Sequence, residues 1–412
     1  MRILLAINKL SGGGAERVAA DLASALARRH EVLLVLTDAA EDDPRYPVDP
    51  RVTVHALGVG GSTNPIAHVA KMVRGWHGLL REKRLFRPQV SISSLRFPNL
   101  INPLARTGDK TIATLQNFES LNNAGSRLMT TITRLGCVWS DLTVAVSKGA
   151  AADAVQSLRL SPAKTTFVYN PCDLGRIEGS VSEPLPPELE EAFSGSGPVF
   201  VNVGRLSPQK GHWHLLRAFR EVLRTLPNAC LVILGTGYED WMDALARELG
   251  IRDHVFLPGF VGNPYPAVAR ADVFVLSSMY EGFSMVIPEA GVCGTAVVST
   301  DCSAGPREIL APDTPFDSKA SGIELAEYGI LVPVCSGTRD LGHKPAEAEE
   351  QLLAQAMIRM AQDDELRRRY VQAMRRRVED FSFEKTIEAW EGVFSRLVPA
   401  KREDQAKGEY DA

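Results

Sequence analysis

Apolar residues fall in short continuous runs separated by longer amphipathic stretches. Arg2–Ile7 is a β-rich apolar run, Ser11-Gly12-Gly13-Gly14 a turn, Glu16–Arg29 a helical pattern and Glu31–Thr37 a second apolar run. This is a βαβ unit. Its strands are apolar throughout instead of alternating, as expected when helices cover both faces of a sheet. Strand patterns at Val52–Leu57, Val90–Ser93, Thr111–Leu115, Leu142–Val146 and Thr166–Tyr169 alternate with helix-like stretches. The first half therefore reads as a doubly wound α/β domain.

Turn-formers crowd together over 178–198, as Ser182-Glu183-Pro184, Pro186-Pro187 and Ser194-Gly195-Ser196-Gly197-Pro198. A domain boundary is expected there. The pattern then restarts with strands at Val199–Val203, Cys230–Leu234, His254–Leu257, Val273–Leu276 and Ala296–Ser299, separated by helices at His212–Thr225, Asp240–Leu249, Pro264–Arg270 and Met285–Cys293. A strand ending at Ile330–Val334 and three helical patterns, the last at Phe383–Leu397, complete it. The expected organisation is a first domain over 1–177, a linker over 178–197, a second domain over 198–380, a helix over 381–398 and a loose polar tail over 399–412. Two such domains enclose a cleft, and open parallel sheets bind ligands beyond the carboxyl ends of their strands.

Composition narrows the function class. The 412 residues carry 46 Lys and Arg against 50 Asp and Glu, a net charge of −4, with 45% hydrophobic residues. A chain-wide polycation for nucleic acid is excluded, as are disordered and collagenous classes. The six cysteines are scattered with no Cys-x-x-Cys, which suggests reduced thiols and a cytoplasmic setting. The apolar start Ile3–Ile7 is too short for a signal peptide, and no apolar run approaches a membrane span.

Two post-strand loops carry candidate chemistry. In Gly204-Arg205-Leu206-Ser207-Pro208-Gln209-Lys210-Gly211, two cations stand at the mouth of a helix. A helix N-terminus, a guanidinium fork and a mobile ammonium suit a diphosphate, although a capped helix with two solvated bases reads the same way. In Tyr280-Glu281-Gly282-Phe283-Ser284-Met285-Val286-Ile287-Pro288-Glu289, carboxylates stand eight residues apart. Such groups accept hydrogen bonds from vicinal hydroxyls, and the amides of 282–284 can meet sugar or phosphate oxygens. Taken alone, a pair of glutamates at this spacing also fits a solvated helix face.

In this order and at these positions, the two segments resemble a retaining GT-B glycosyltransferase of the family 4 (group 1) class, whose members build bacterial surface glycans and lipid-linked sugars. The similarity continues through Leu234-Gly235-Thr236-Gly237, Phe256-Leu257-Pro258-Gly259-Phe260, Ala271–Ser278 and Gly305-Pro306-Arg307-Glu308-Ile309. It includes Gly12-Gly13-Gly14-Ala15-Glu16-Arg17 and Tyr169-Asn170-Pro171-Cys172-Asp173, and so spans the chain to about Leu397.

The resemblance implies two Rossmann-like domains facing a central cleft and a nucleoside-diphosphate sugar, with UDP the expected nucleotide. By the same resemblance Arg205 and Lys210 hold the diphosphate, Glu289 the ribose hydroxyls and Glu281 the transferred sugar. Phe283, Ser284 and Met285 offer amides to the donor, and Gly12, Gly13 and Gly14 form the facing loop. The acceptor is expected to be a glycan or a lipid-linked sugar in polysaccharide or lipopolysaccharide biosynthesis. No Asp-x-Asp occurs in the chain, so transfer without a metal or other cofactor is expected. Many members carry a His after the fourth strand of the first domain; here the segment reads Thr114-Leu115-Gln116-Asn117-Phe118. If Gln116 takes that position it can hydrogen-bond but cannot act as a general base. The alternatives are a shifted register or an inactive relative.

Between Ile66 and Arg87 six cations (Lys71, Arg74, Arg81, Lys83, Arg84, Arg87) face one acid, Glu82. A helical projection puts Ile66, Val69, Val73, Trp76 and Leu80 on one apolar face and Lys71, Arg74, His77 and Arg81 on another. This suits peripheral contact with an anionic inner-membrane surface, or a packed helix with a solvated basic face. His212 and His214 at i, i+2 point apart and make no metal site. The rival functions are a nicotinamide- or flavin-dependent oxidoreductase, a nucleotide-sugar epimerase, a phosphorylase and a non-catalytic sugar-binding protein. The first needs a Gly-x-Gly-x-x-Gly that the opening loop lacks.

Overall fold

The computed structural model describes residues 1–40, 45–59, 65–339 and 344–398. The tail expected from 399 lies outside them, as does the side chain of Ile66. The first sheet is built from β1 (Arg2–Ile7), β2 (Glu31–Leu36), β3 (Val52–Ala56), β4 (Val90–Ser94), β5 (Lys110–Leu115), β6 (Leu142–Ala145) and β7 (Thr165–Phe167). Its order is β3-β2-β1-β4-β5-β6-β7, and every neighbour is parallel.

The second sheet contains β8 (Val199–Val203), β9 (Cys230–Leu234), β10 (Val255–Gly259), β11 (Val273–Leu276), β12 (Ala296–Thr300), β13 (Glu324–Leu325) and β14 (Ile330–Val332). Its order is β10-β9-β8-β11-β12-β14-β13, parallel except for β13 against β14. Each strand order reverses once, between β1 and β4 and between β8 and β11. Loops after those strands diverge and leave a crevice. They are the loops that carry Gly12–Gly14, Arg205–Lys210 and Glu281.

Apolar strands sandwiched by helices make a core in each half, with β4 buried along its whole length. The stretch 178–197 holds a helix, Pro187–Ser194, that packs through Leu189 and Ala192. The last helix, Phe383–Leu397, lies on Gly14–Leu26 of the first half, with Trp390, Val393 and Phe394 in the core around β1. Arg28–Glu384 and Arg29–Glu391 ion pairs edge that contact.

The halves also meet beside the crevice. The helix Lys148–Ser157 begins there with Ser147 as its cap, and its first N–H groups have no partner within the helix. Glu308, from the second half, supplies one: its carboxylate accepts the N–H groups of Lys148 and Gly149 at 2.8 and 2.9 Å and the Tyr169 hydroxyl at 3.0 Å. Ser147 Oγ donates to the Gly282 carbonyl at 2.6 Å. Gly282 lies so close to β5 that a Cβ there would stand 2.1 Å from the Gln116 carbonyl oxygen. Tyr169 stacks on Phe283 at 5.0 Å, and Phe283 meets Phe381 edge-on at 5.2 Å.

The helix Pro65–Phe86 differs from its projection. Val69 and Val73, assigned to the packed face, are 63% and 56% exposed. The buried side is formed by Gly75, Leu79, Leu80, Glu82 and Lys83, with Gly75 and Gly78 letting Phe97 and Leu57 approach. Lys83 is fully buried and paired with Asp109 at 2.8 Å, so it is no part of a surface patch. Lys71 is paired with Asp38 at 2.7 Å.

Replacing Glu308 by Ala should leave the N-terminus of Lys148–Ser157 uncompensated at a buried interface, a loss of about 1–3 kcal/mol. Calorimetry should show a lower Tm and hydrogen exchange a faster rate at the Lys148 and Gly149 amides. Glu308→Gln should fall between.

Candidate active site

The chain leaves β8 through Gly204 into the cationic loop, which closes as a short turn at Pro208–Lys210 before the helix His212–Thr225. Lys210 turns toward β11: its Nζ lies 2.6 Å from Glu281 Oε1, which also accepts from Ser278 Oγ at 2.6 Å. Gln209 donates to the Tyr280 carbonyl at 3.0 Å, and the Met279 N–H to the Gln209 carbonyl at 2.8 Å. Cationic and acidic loops are therefore one hydrogen-bonded unit. Arg205 stays exposed and reaches the opposing domain, where a Cβ on Gly13 would stand 3.1 Å from its Nη2. Gly13 caps the helix Gly14–Leu26, so the Gly12–Gly14 turn presents a helix N-terminus to Arg205 across the crevice.

Beyond Glu281 the backbone is strained. Ser284 holds φ at +72°, the left-handed region that a side chain disfavours, and its buried hydroxyl has no partner. Phe283 is buried between the Tyr169 and Phe381 rings and serves as wall. Met285 then leads into the helix Val286–Cys293, which carries Glu289.

Glu289 does not share the Lys210 pair. Burial pushes its pKa up to about 7, against the pull of the Arg176 guanidinium and with a push from Asp21. Asp21, on the facing helix, is itself raised to about 6 by burial, although Arg17 and Arg176 lie 3.6 and 3.8 Å away. The Nε atoms of Arg17 and Arg176 are buried without a hydrogen-bond partner. Arg176 also donates to the Tyr265 hydroxyl at 3.1 Å. Sequence reasoning missed Arg17, Asp21 and Arg176 as site residues. The one available signal was the i, i+4 spacing of Arg17 and Asp21 directly behind the glycine turn.

Gln116 follows β5 with its carbonyl against Gly282. Among the described residues its side chain meets Thr114 and Asn170 in long contacts of 3.5 Å, and it lines a cavity of about 530 Å3. His212 is held neutral, its pKa lowered to about 3 by burial and then by Lys210, and it bonds Asn202 at 2.9 Å. Among the described residues one metal-sized group forms, His214 with Cys335 and Glu347. Two of its three members are already engaged: His214 pairs with Glu350 at 2.7 Å and takes the Gly337 N–H at 3.3 Å, while Glu347 takes the Ser336 N–H at 3.0 Å.

Two family models match the chain, Glycosyltransferase Family 4 over 12–176 and Glycosyl transferases group 1 over 190–320. A Campylobacter jejuni protein named N-acetylgalactosamine-N,N'-diacetylbacillosaminyl-diphospho-undecaprenol 4-alpha-N-acetylgalactosaminyltransferase is 32% identical over 387 residues, which cover 91% of this chain and 94% of that protein. An uncharacterised glycosyltransferase of Methanocaldococcus jannaschii is 38% identical over 231 residues, 55% of this chain and 56% of that protein, so this match spans little more than half of either chain. Among solved structures, that of Anabaena HepE in complex with UDP and glucose superposes with a TM-score of 0.72 at 17% identity, covering 96% of this chain and all of that one. With two Rossmann-like domains of GT-B type and this match along nine-tenths of its length, the chain belongs to the family 4 (group 1) glycosyltransferases.

Proposed function

We propose that the protein moves a hexose or N-acetylhexosamine from a UDP-sugar to a glycan or lipid-linked acceptor, with retention at the anomeric carbon and without a metal or other cofactor. The observation that carries this reading is the Lys210–Glu281 pair beside Arg205, opposite the Gly12–Gly14 turn. Departure of a nucleoside diphosphate concentrates negative charge on the leaving oxygens. Arg205, Lys210 and the helix N-terminus behind Gly13 stabilise that charge more in the transition state than before it. When the diphosphate draws on Lys210, Glu281 can accept from hydroxyls of the transferred sugar while Ser278 keeps it oriented. Glu289 takes the ribose hydroxyls. The amides of Phe283, Ser284 and Met285 complete the donor cradle.

On this reading the leaving phosphate accepts the proton of the incoming hydroxyl on the same face, and Gln116 orients that hydroxyl without acting as a base. UDP in the Anabaena structure and the diphospho-undecaprenol in the Campylobacter relative's name support the donor and acceptor classes. No helix among the described residues is long and apolar enough to cross a membrane. The exposed side of Pro65–Phe86 combines Val69, Met72, Val73 and Leu85 with Arg74, Arg81 and Arg84. That composition suits in-plane contact with anionic lipid on the cytoplasmic face.

Lys210→Ala should weaken UDP-sugar binding at least tenfold by calorimetry and lower kcat further, because Glu281 is left buried without its counter-ion. Unchanged donor affinity would remove the diphosphate assignment. Glu289 gives a pH signature. A carboxyl raised from 4.5 to about 7 binds its proton more tightly folded than unfolded, so the stability it lends is complete below about 4.5 and lost as pH rises through 7. Glu289→Gln should therefore gain roughly 1–3 kcal/mol over the parent at pH 8 and almost nothing at pH 4.5. The same variant should lose donor affinity, and parent affinity should rise from pH 6 to 8. For the membrane, Arg81→Glu with Arg84→Glu should abolish cosedimentation with phosphatidylglycerol vesicles and leave UDP binding intact.

A further inference from the structure

The loop that carries Arg205 and Lys210 is also held from behind, on the side away from the crevice. Arg205 is exposed, whereas Leu206 is 2% exposed and packs in the second domain's core with Trp213 and Met242. The Leu206 N–H donates to the Thr236 carbonyl at 2.8 Å, and a Cβ on Gly237 would stand 2.2 Å from the Leu206 carbonyl oxygen. The packing around this seat is incomplete. A cavity of about 210 Å3 lies against it, lined by the Leu206-Ser207-Pro208 stretch and by Trp213, Trp241 and Met242. Apolar space beside a buried leucine gives a loop room to shift, so the group that closes the space decides where the loop stands.

Arg339, from the loop after β14, completes the lining. Its guanidinium stands over three rings at once, 5.6 Å from Trp213, 5.7 Å from Tyr238 and 5.8 Å from Trp241. A planar, weakly hydrated cation can cover such rings in a way an ammonium cannot. The residues before it are tied to the helix that follows the cationic loop: Trp213 Nε1 donates to the Thr338 carbonyl at 3.1 Å, and the Gly337 N–H to His214 Nε2 at 3.3 Å. Gly337 also reaches the acidic loop. A Cβ there would stand 3.3 Å from Met279 Cε, and one on Gly211 the same distance from Met279 Sδ. The loop after β14 therefore backs both loops of the donor site.

We propose, resting on the transferase reading, that Arg339 is a positioning residue for the donor: caged by Trp213, Tyr238 and Trp241, it keeps Leu206 seated and so sets where Arg205 and Lys210 stand before a diphosphate arrives. It touches no substrate. Without it the cationic loop gains freedom, and each incoming nucleotide has to order the loop as it binds.

Calorimetry of UDP binding to the full chain tests this. Arg339→Ala should raise the Kd at least fivefold, with tryptophan emission shifted to the red as Trp241 gains water, and Arg339→Lys should fall between parent and Ala. The fold-change should persist at 1 M salt, where screening acts within about 3 Å, because the cage works through contact and not through long-range attraction of the nucleotide. Tyr238→Ala removes an exposed ring of the cage and should repeat the loss, which keeps the test open if Arg339→Ala does not fold. The double variant should lose no more than the larger single one, since both changes open the same cage. An unchanged Kd in folded Arg339→Ala, a loss that vanishes at 1 M salt, fully additive losses or an unmoved emission spectrum would each overturn the proposal. The parent's own affinity reports on the transferase reading: a parent that binds no UDP removes that donor and this proposal with it, whereas a parent that binds UDP no better than Arg339→Ala overturns the role of the cage alone.

Discussion

Glu308 belongs to one domain and completes a helix of the other, and the site depends on that exchange. A helix whose first N–H groups open onto a buried interface needs acceptors there, and water is not available to supply them. By taking two amides and the Tyr169 hydroxyl, Glu308 fixes the second domain against the start of Lys148–Ser157. Ser147 then has only one place for its hydroxyl, the Gly282 carbonyl, and Phe283 only one slot, between Tyr169 and Phe381. The loop carrying Glu281 is held from the far side of the crevice.

A loop clamped in this way can hold conformations it would otherwise relax. Ser284 keeps its left-handed backbone and an unpartnered hydroxyl, and burial holds the Glu289 and Asp21 carboxyls above their usual range even beside Arg17 and Arg176. Each of these costs the ligand-free protein some stability. Buried, largely apolar strands on either side supply the stability that tolerates them.

Much of this was legible in the chain. Continuous apolar runs marked the strands of both sheets to within one or two residues, except the two-residue β13, too short to leave a pattern. The glycine turn, the cationic loop and the Glu281 loop all follow strands at which the order reverses. Periodicity failed where it had to choose a side. On Pro65–Phe86 it grouped Val69 and Val73 with the core, whereas the buried side uses glycines that admit Phe97 and Leu57 and a lysine neutralised by Asp109. A lysine in a basic run reads as solvated, and only its distant partner shows otherwise. Glu308 lay inside a recognised segment, but its role depends on amides about 160 positions earlier.

The two walls of the crevice carry different groups. The second domain offers cations and a helix N-terminus of the first faces them, an environment for phosphate oxygens. A short way along β5, the cavity beyond Gln116 is lined by Glu16, Asp38 and Glu119 together with Lys9 and Arg96, so groups of both signs stand there. The Glu281-Gly282 loop, pressed against the Gln116 backbone, sits between the two. On the proposed reading, a donor sugar held at that loop keeps its leaving phosphate and the incoming hydroxyl on one face, so the loop's fixed position sets the geometry of transfer before any side chain moves.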